Sequence, residues 1–336
     1  MALVVFAHAG WTPPPFSYRF FSTYHPGSFG VRLFFVLSGF LITGILVAAR
    51  AEAEHVGYPR SLVWRAFLYR RALRILPLAY VGLGVAWLLG APAMRALPWW
   101  YLGYLSNALP VLHYPDRSGV GHFWSLAVEE HFYIVWPIVM LFVPTRLWRP
   151  LLLVLVVLAC PIRILTANIW DPTVAYESTW SRYDALALGG LLAIANPSML
   201  LMLMIALGVL LASLSTVEGS ALWMGVHESA LVCLTGVIVL AVARGWASRW
   251  LSARPLVYVG MISYGIYVWH PMVSGLLRTI GLPVPAAPGP LLLVVVASLS
   301  VGLATLSWYA FERPLNSLKR EYPYIDRMMA RAAIVP

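Results

Sequence analysis

Long apolar runs, separated by short polar or basic segments, set the pattern of this sequence. The clearest run covers 29–49. Further apolar runs follow at 75–90, 122–143, 150–169, 184–196, 199–216, 228–243, 256–280 and 290–311. A helix of about 20 mostly apolar residues crosses a bilayer. The opening residues 1–11 are apolar but shorter than that, and we interpret them as the second half of a truncated span. The pattern predicts an all-α, polytopic membrane bundle of about ten transmembrane helices.

The composition supports a membrane protein and excludes an ordinary soluble domain. Of the 336 residues, 61% are hydrophobic and 11% are charged, whereas a soluble domain carries roughly 25% charged residues. The net charge of +10 comes from basic residues at the ends of apolar runs. We therefore expect a lipid bilayer as partner and no nucleic acid. Cys160 and Cys233 lie inside apolar runs, which indicates neither a disulfide framework nor a metal site.

The basic residues also predict an orientation. They concentrate in the segments 50–77, 144–149 and 244–254 and in the tail 316–336, which all lie on one side of a ten-span arrangement. Because basic loops stay in the cytoplasm, we expect both termini to be cytoplasmic. The beginning of the 122–143 span then lies toward the external half, and the end of the 50–77 segment lies at the cytoplasmic side.

The span at 122–143 carries the most unusual polar pattern. Its charged residues include Glu129 and Glu130, although a carboxylate inside hydrocarbon costs at least ~2.5 kcal/mol. Helical spacing puts one polar stripe on the helix, formed by His122, Ser125, Glu129, Tyr133 and Trp136. The stripe is typical of the wall of a site. The alternative is a structural carboxylate that bonds to a neighbouring helix.

Two more groups have both a functional and a structural interpretation. His8 lies in the opening apolar fragment, where it is either a structural residue or a catalytic one. Arg71 and Arg74 are three residues apart and share a helix face. They either set the topology or clamp an anion, since arginine binds phosphate with two parallel bonds.

Four residues in other spans are further candidates to line a site. Ser38 lies in the middle of the 29–49 span, next to Gly39, which permits close helix approach. Arg182 and Asp184 flank the entry to the 184–196 span, where we expect them to pair or to line its mouth. His270 lies within the 256–280 span.

Six motifs in order resemble the acyltransferase-3 family of membrane-bound acyltransferases. They are FGVRLFFVLSGFLITGIL at 29–46, RRALRILP at 70–77, FWSLAVEEHFYIVWP at 123–137, RYDALALG at 182–189, ISYGIYVWH at 262–270 and FERPL at 311–315. The resemblance covers essentially the whole chain. It implies an acyltransferase-type transmembrane domain at 1–315, followed by a cytoplasmic basic tail at 316–336.

The resemblance implies an O-acetyltransferase of the bacterial cytoplasmic (inner) membrane. The expected donor substrate is acetyl-CoA or another acyl-CoA, with no bound cofactor. The expected acceptor is a hydroxyl of a glycan, a lipid-linked sugar or a macrolide-like small molecule.

An Asp-Gly-Leu-Arg-like stretch that usually precedes the family histidine is absent here. A multi-span transporter or flippase and an inactive truncated relic are the alternatives, and the lack of an internal repeat counts against a transporter.

The same resemblance assigns roles to residues. His8 matches the family histidine, Arg71 and Arg74 match an Arg-x-x-Arg pair, and Glu129 and Glu130 match a Glu-Glu motif. We expect His8 to act as general base or transient acyl carrier, because the pKa of histidine lies near neutrality. Glu129 or Glu130 would orient its imidazole. The arginine pair would bind the phosphates of the donor.

Overall fold

The computed structural model describes residues 26–114, 117–281 and 289–325, and these form helices without a strand. The first half contains α1 (Pro26–Val56), α2 (Arg60–Leu88), α3 (Pro92–Ala96), α4 (Pro98–Leu102), α5 (Phe123–Phe142), α6 (Trp148–Ile169), α7 (Pro172–Glu177) and α8 (Thr179–Ala195). The second half contains α9 (Met199–Leu214), α10 (Ala221–Ala243), α11 (Ser248–Leu251), α12 (Arg254–Met261), α13 (Ser263–Trp269), α14 (Val273–Thr279), α15 (Pro290–Ser307) and α16 (Arg313–Ser317).

Short non-α turns join several of these helices. The 3₁₀ turns cover Ser106–Leu112, Thr145–Leu147, His270–Met272 and Leu318–Glu321, and a π-helical turn covers Trp308–Glu312.

The helix ends follow ordinary capping chemistry. The Ser220 side chain accepts a hydrogen bond from the backbone N–H of Trp223 at 3.0 Å and begins α10. Asp171 caps α7 in the same way. Asn196 ends α8 in a left-handed conformation with φ of 43°. These residues satisfy helix-terminal groups that would otherwise lack partners.

Every predicted span within the described residues coincides with a helical segment, but the number of crossings differs from the expectation. Six described helices are long and apolar enough to cross a bilayer, or up to seven if α12 and α13–α14, bent by 53°, count as one broken span. The helices α8 and α9 have only 17 and 16 residues. The opening fragment 1–11 lies outside the described residues. The count of about ten therefore stays a prediction.

The helix pair α1 and α8 makes the closest backbone approach. A Cβ added to Gly39 would lie 2.0 Å from the carbonyl oxygen of Leu186, and one added to Gly189 would lie 2.0 Å from that of Val36. Neither position has room for a side chain, so glycine is required at both. The prediction that Gly39 allows close helix approach is confirmed.

The helices α1 and α2 both pack against α5. Phe35 packs edge-on against Trp124, and the Trp136 indole donates to the Thr43 hydroxyl at 2.8 Å, so α1 runs parallel to α5. Arg60 at the start of α2 donates to the carbonyl of Leu141 near the end of α5, so α2 is antiparallel to both. The predicted stripe on α5 is buried between these neighbours.

The outside of the bundle is apolar. Large aliphatic side chains on α6 and α9 are strongly exposed, among them Val157 at 66%, Ile169 at 65% and Leu200 at 68%. Such a surface suits contact with lipid tails and would be costly in water.

Candidate active site

Glu129 lies buried in the middle of α5 and is bonded by hydroxyl groups. Its Oε1 accepts a hydrogen bond from Ser38 Oγ at 2.8 Å and another from the Tyr133 hydroxyl. Within the described residues, no donor bonds Oε2. One carboxylate oxygen is therefore held in place, and the other has no donor in the part of the chain that the structure describes. Ser38 and Tyr133, both predicted to line a site, meet at this carboxylate.

Arg71 reaches the same place from α2. Its guanidinium carbon lies 5.4 Å from the ring centre of Tyr133 and 5.4 Å from that of Phe67, in cation–π geometry. Arg71 is the arginine whose charge acts on both Glu129 and Glu130.

Arg71 lies within a longer helix than the sequence analysis expected. The sequence analysis put it just before a span beginning at residue 75, at the cytoplasmic side. The basic segment before that span is itself helical, and α2 begins at Arg60. Arg71 therefore lies about 17 Å along α2, at the level of the middle of α5. The two candidate groups meet at Tyr133.

A group of basic side chains surrounds Arg71. The guanidinium of Arg74 lies 5.6 Å from the Trp308 ring centre, and Arg70 donates to the carbonyl of Lys319 at 2.7 Å. Lys319 is an electrostatic neighbour of Arg70, Arg71 and Arg74. Among the described residues, neither Arg71 nor Arg74 donates a hydrogen bond to protein. As far as the described residues go, their N–H groups are unoccupied, which suits an anionic ligand.

Glu130, the next residue on α5, faces a different environment. Its charged group acts on Tyr80, Tyr104 and Tyr264. Its Oε1 is buried and bonded to none of the described residues. The two adjacent carboxylates thus lie on different sides of the helix, because successive residues are about 100° apart around its axis.

Ser125 and His270 meet in a second polar group, one turn from Glu129. Ser125 Oγ lies 3.0 Å from the Tyr267 hydroxyl, which donates to the carbonyl of His122 at 2.6 Å. The rings of His122 and His270 lie 5.3 Å apart, and His270 Nδ1 lies 2.9 Å from the carbonyl of Tyr267. The sequence signalled this group through its two histidines but gave no sign of Tyr267.

Arg182 and Asp184 do not pair with each other, which corrects one expectation. Arg182 Nη1 donates to Glu228 at 2.5 Å, and Arg163 Nη2 donates to Asp184 at 2.5 Å. Residues two apart on a helix point in different directions, so each finds a partner on another helix. Both are about 99% buried, so they lie inside the bundle and line no open mouth.

Glu228 also binds Arg32, and the sequence analysis missed this role. Arg32 Nε donates to Glu228 Oε2 at 2.9 Å, and Arg32 Nη2 bonds Oε1. Arg163, with no exposed surface, was missed as well. A signal existed for both, because each is an isolated charge in an apolar run. A rule that pairs such charges across spans would have found them. His8 lies outside the described residues.

Comparison with known proteins identifies the family. A family model described as an acyltransferase domain, acyltransferase type 3, matches residues 1–309. The chain belongs to the acyltransferase-3 family. Its helices and its family together make it an integral membrane protein. No solved structure matches the fold.

Several curated relatives are similar over most of this chain. YrhL of Bacillus subtilis (strain 168), whose name gives a provisional assignment as a peptidoglycan O-acetyltransferase, is 29% identical over 87% of this chain and 51% of its own length. The peptidoglycan O-acetyltransferase OatA of Listeria monocytogenes is 28% identical over 74% of this chain and 45% of its own. The O-acetyltransferase OatA of Staphylococcus aureus (strain NCTC 8325) is 25% identical over 73% and 45%. The chain spans about half the length of these relatives.

Proposed function

We propose that this chain is an O-acetyltransferase that moves an acetyl group from acyl-CoA to a hydroxyl of a cell-envelope glycan. The observation that carries the proposal is the buried Glu129, whose Oε1 is held by two hydroxyl groups and whose Oε2 has no donor among the described residues. A carboxylate in an apolar bundle without a bonded arginine suits proton handling better than it suits stability. The family and the names of the relatives support the glycan acceptor.

The basic group beside the site supports an anionic donor. Arg71 and Arg74 have guanidinium N–H groups without a described protein acceptor, and Lys319 adds a third charge nearby. Phosphates and guanidinium groups form paired hydrogen bonds. Since Arg71 also stacks on Tyr133, a donor bound there would reach the level of Glu129.

The proposed reaction needs one base and one acyl thioester. The acceptor oxygen attacks the acetyl carbonyl carbon, and the carbon–sulfur bond breaks. The proton of the acceptor hydroxyl goes to His8 and then to the sulfur that leaves. Glu129 or Glu130 orients the imidazole and stabilises its charged form. If His8 instead carries the acetyl group, its imidazole nitrogen first attacks the thioester carbonyl carbon, the carbon–sulfur bond breaks, and the imidazole proton goes to the leaving sulfur. The acceptor oxygen then attacks the acetyl-imidazole, the nitrogen–carbon bond breaks, and the acceptor proton goes to the released imidazole.

The distribution of basic residues supports a bacterial cytoplasmic-membrane location with both termini inside. A cysteine at position 61, in a chain with Cys160 and Cys233 replaced by alanine, should resist an impermeant thiol reagent added from outside. Labelling of that cysteine in sealed cells would contradict the orientation.

The decisive experiment measures acetyl transfer in membranes. Labelled acetyl-CoA is added to membranes that contain the chain, its His8→Ala variant or neither. We expect label in the glycan fraction only with the unmodified chain, and a rate lower by roughly 10²–10⁴-fold for His8→Ala at equal protein amount. Equal incorporation by all three membranes would overturn the proposal.

A further inference from the structure

Tyr80, Tyr104 and Tyr264 are electrostatic neighbours of Glu130, and Tyr104 differs from the other two. The Tyr80 hydroxyl donates to the carbonyl of Leu102 at 3.1 Å, and the Tyr264 hydroxyl donates to that of Ile75 at 2.7 Å. The Tyr104 hydroxyl is also buried, but no described residue bonds it. The Tyr104 O–H donor therefore has no described acceptor, and Glu130 is the leading charged neighbour of Tyr104.

Glu130 has a buried acceptor that likewise lacks a described partner. Its Oε1 is buried and bonded to none of the described residues. Burial of a polar group without a partner costs about 1–3 kcal/mol, and native structures rarely retain such groups without a reason. Here a donor and an acceptor are both unsatisfied and are electrostatic neighbours, yet they do not bond each other.

The backbone of Tyr104 is held in an uncommon conformation. Its φ is 56°, in the left-handed region that a bulky side chain seldom adopts. The Tyr80 ring packs with its centre 6.0 Å from that of Tyr104, and the Tyr104 backbone lies near the His131 imidazole. His131 is in turn fixed by Thr179 Oγ1, 2.8 Å from its Nδ1. Retained strain of this kind concentrates at functional sites.

We propose that Tyr104 and Glu130 together bind the acceptor hydroxyl, an inference that rests on the proposed acetyl transfer. A hydroxyl group both accepts and donates a hydrogen bond, which is the combination needed to satisfy a phenol donor and a carboxylate acceptor at once. An ammonium group only donates, and a carbonyl or carboxylate oxygen only accepts. The site is therefore suited to an alcohol, such as a sugar hydroxyl.

The ionisation of Tyr104 agrees with this role. Burial, followed by the charge of Glu130, raises the pKa of Tyr104 above its ordinary value. Its phenol therefore stays protonated and remains a hydrogen-bond donor at neutral pH.

Tyr101 provides a matched control on the same segment. Its hydroxyl is also buried and without a described partner, but its charged neighbours are Arg117 and Glu177 instead of Glu130. Removing either hydroxyl by a change to phenylalanine alters the same atom in the same kind of environment. Only one of the two changes touches the proposed site.

The test uses the full chain in membrane vesicles, labelled acetyl-CoA as donor and methyl N-acetyl-β-glucosaminide as soluble acceptor. We expect Tyr104→Phe to raise the KM for the glycoside by about 3- to 10-fold, because one hydrogen bond is lost. The KM for acetyl-CoA should not change, and Tyr101→Phe should leave both values at wild type. If Tyr104→Phe does not accumulate in membranes, Tyr104→Leu, which also lacks the hydroxyl, is measured in its place, with the same expected split.

Three outcomes would overturn the inference in distinguishable ways. Wild-type KM values in Tyr104→Phe would mean that only water bonds the Tyr104 hydroxyl and Glu130. A parallel rise in both KM values would mean that Tyr104 shapes the whole site and does not bind the acceptor. Absence of transfer by the unmodified chain, to the glycoside, to the glycan fraction or to water, would overturn the proposed function itself and this inference with it.

Discussion

Two regions of the bundle bury carboxylates, and they satisfy them differently. Glu228 on α10 accepts hydrogen bonds from Arg32 on α1 and Arg182 on α8 and forms ion pairs with both. Among the described residues, Glu129 on α5 is bonded by the hydroxyls of Ser38 and Tyr133 and by no arginine. Both side chains are at least nine-tenths buried, so depth does not separate them.

The difference indicates that one buried carboxylate stabilises the fold and the other takes part in the reaction. A carboxylate between two guanidinium groups is locked in its charged form and joins three helices. Its removal would leave buried positive charge without a counterion. A carboxylate held by hydroxyls keeps the freedom to exchange a proton or to stabilise a neighbouring cation. We therefore expect the Glu228 region to control folding and the Glu129 region to control activity.

The largest expected effect is on stability at Glu228. The change Glu228→Gln keeps the shape of the side chain but leaves two buried guanidinium groups without a negative partner. We expect a loss of on the order of 3–5 kcal/mol in the free energy of unfolding, measured by SDS titration of the purified protein in mixed micelles. Glu129→Gln is the matched control and should change this value by less than about 1 kcal/mol. Equal losses would show that both carboxylates are structural.

The next effect is on activity at Glu129. Glu129→Gln preserves the hydrogen bonds at Oε1 but removes the charge that stabilises an imidazolium. We expect acetyl transfer to fall by roughly 10- to 100-fold, less than for His8→Ala.

The double variant Glu129→Gln with His8→Ala should be little slower than His8→Ala alone, because paired residues act as a unit. Rates that multiply would instead assign the two residues separate roles.

Arg71 and Arg74 test whether the basic group belongs to the chemistry or to topology. Changing both to alanine should raise the KM for acetyl-CoA by about tenfold, since charged hydrogen bonds to phosphate are lost. Lysine at both positions should restore only part of the affinity, because an ammonium group cannot make two parallel bonds. A wild-type KM with alanine at both sites would indicate a topological role alone.

The smallest effect is expected at Ser38. Ser38→Ala removes one of the two donors to Glu129 and should lower acetyl transfer by about 3-fold. Ser300→Ala is the control, because Ser300 is also buried and, among the described residues, bonds the carbonyl of Val296 on its own helix. A similar loss in both variants would mean that Ser38 contributes packing only.

Much of the fold could be predicted from the sequence because helical periodicity is local. The apolar runs gave the long helices, and the spacing from His122 to Trp136 gave a stripe that is buried on α5. Gly39 gave a close helix contact. Each of these features depends on residues within a few turns of one another.

The remaining features depend on which helices become neighbours, and no local pattern encodes that. Arg32 and Glu228 are 196 residues apart. The position of Arg71 beside Tyr133 depends on the basic segment before residue 75 being helical, which its charge alone does not indicate. Tyr104 lies in a short irregular connection and has a left-handed backbone. Periodicity does not predict that this connection makes it an electrostatic neighbour of Glu130.

The long interval between Arg32 and Glu228 also constrains how a ribosome can deliver this protein. The partner of Arg32 is synthesised 196 residues later, which takes on the order of 10–40 s at ordinary translation rates. During that time α1 must enter the membrane before Arg32 has this carboxylate, at an insertion cost on the order of 2.5–3.5 kcal/mol on translocon scales. The ion pair forms only after α10 has been synthesised. Nascent chains that stop before α10 would hold Arg32 and Arg182 without the carboxylate that they share.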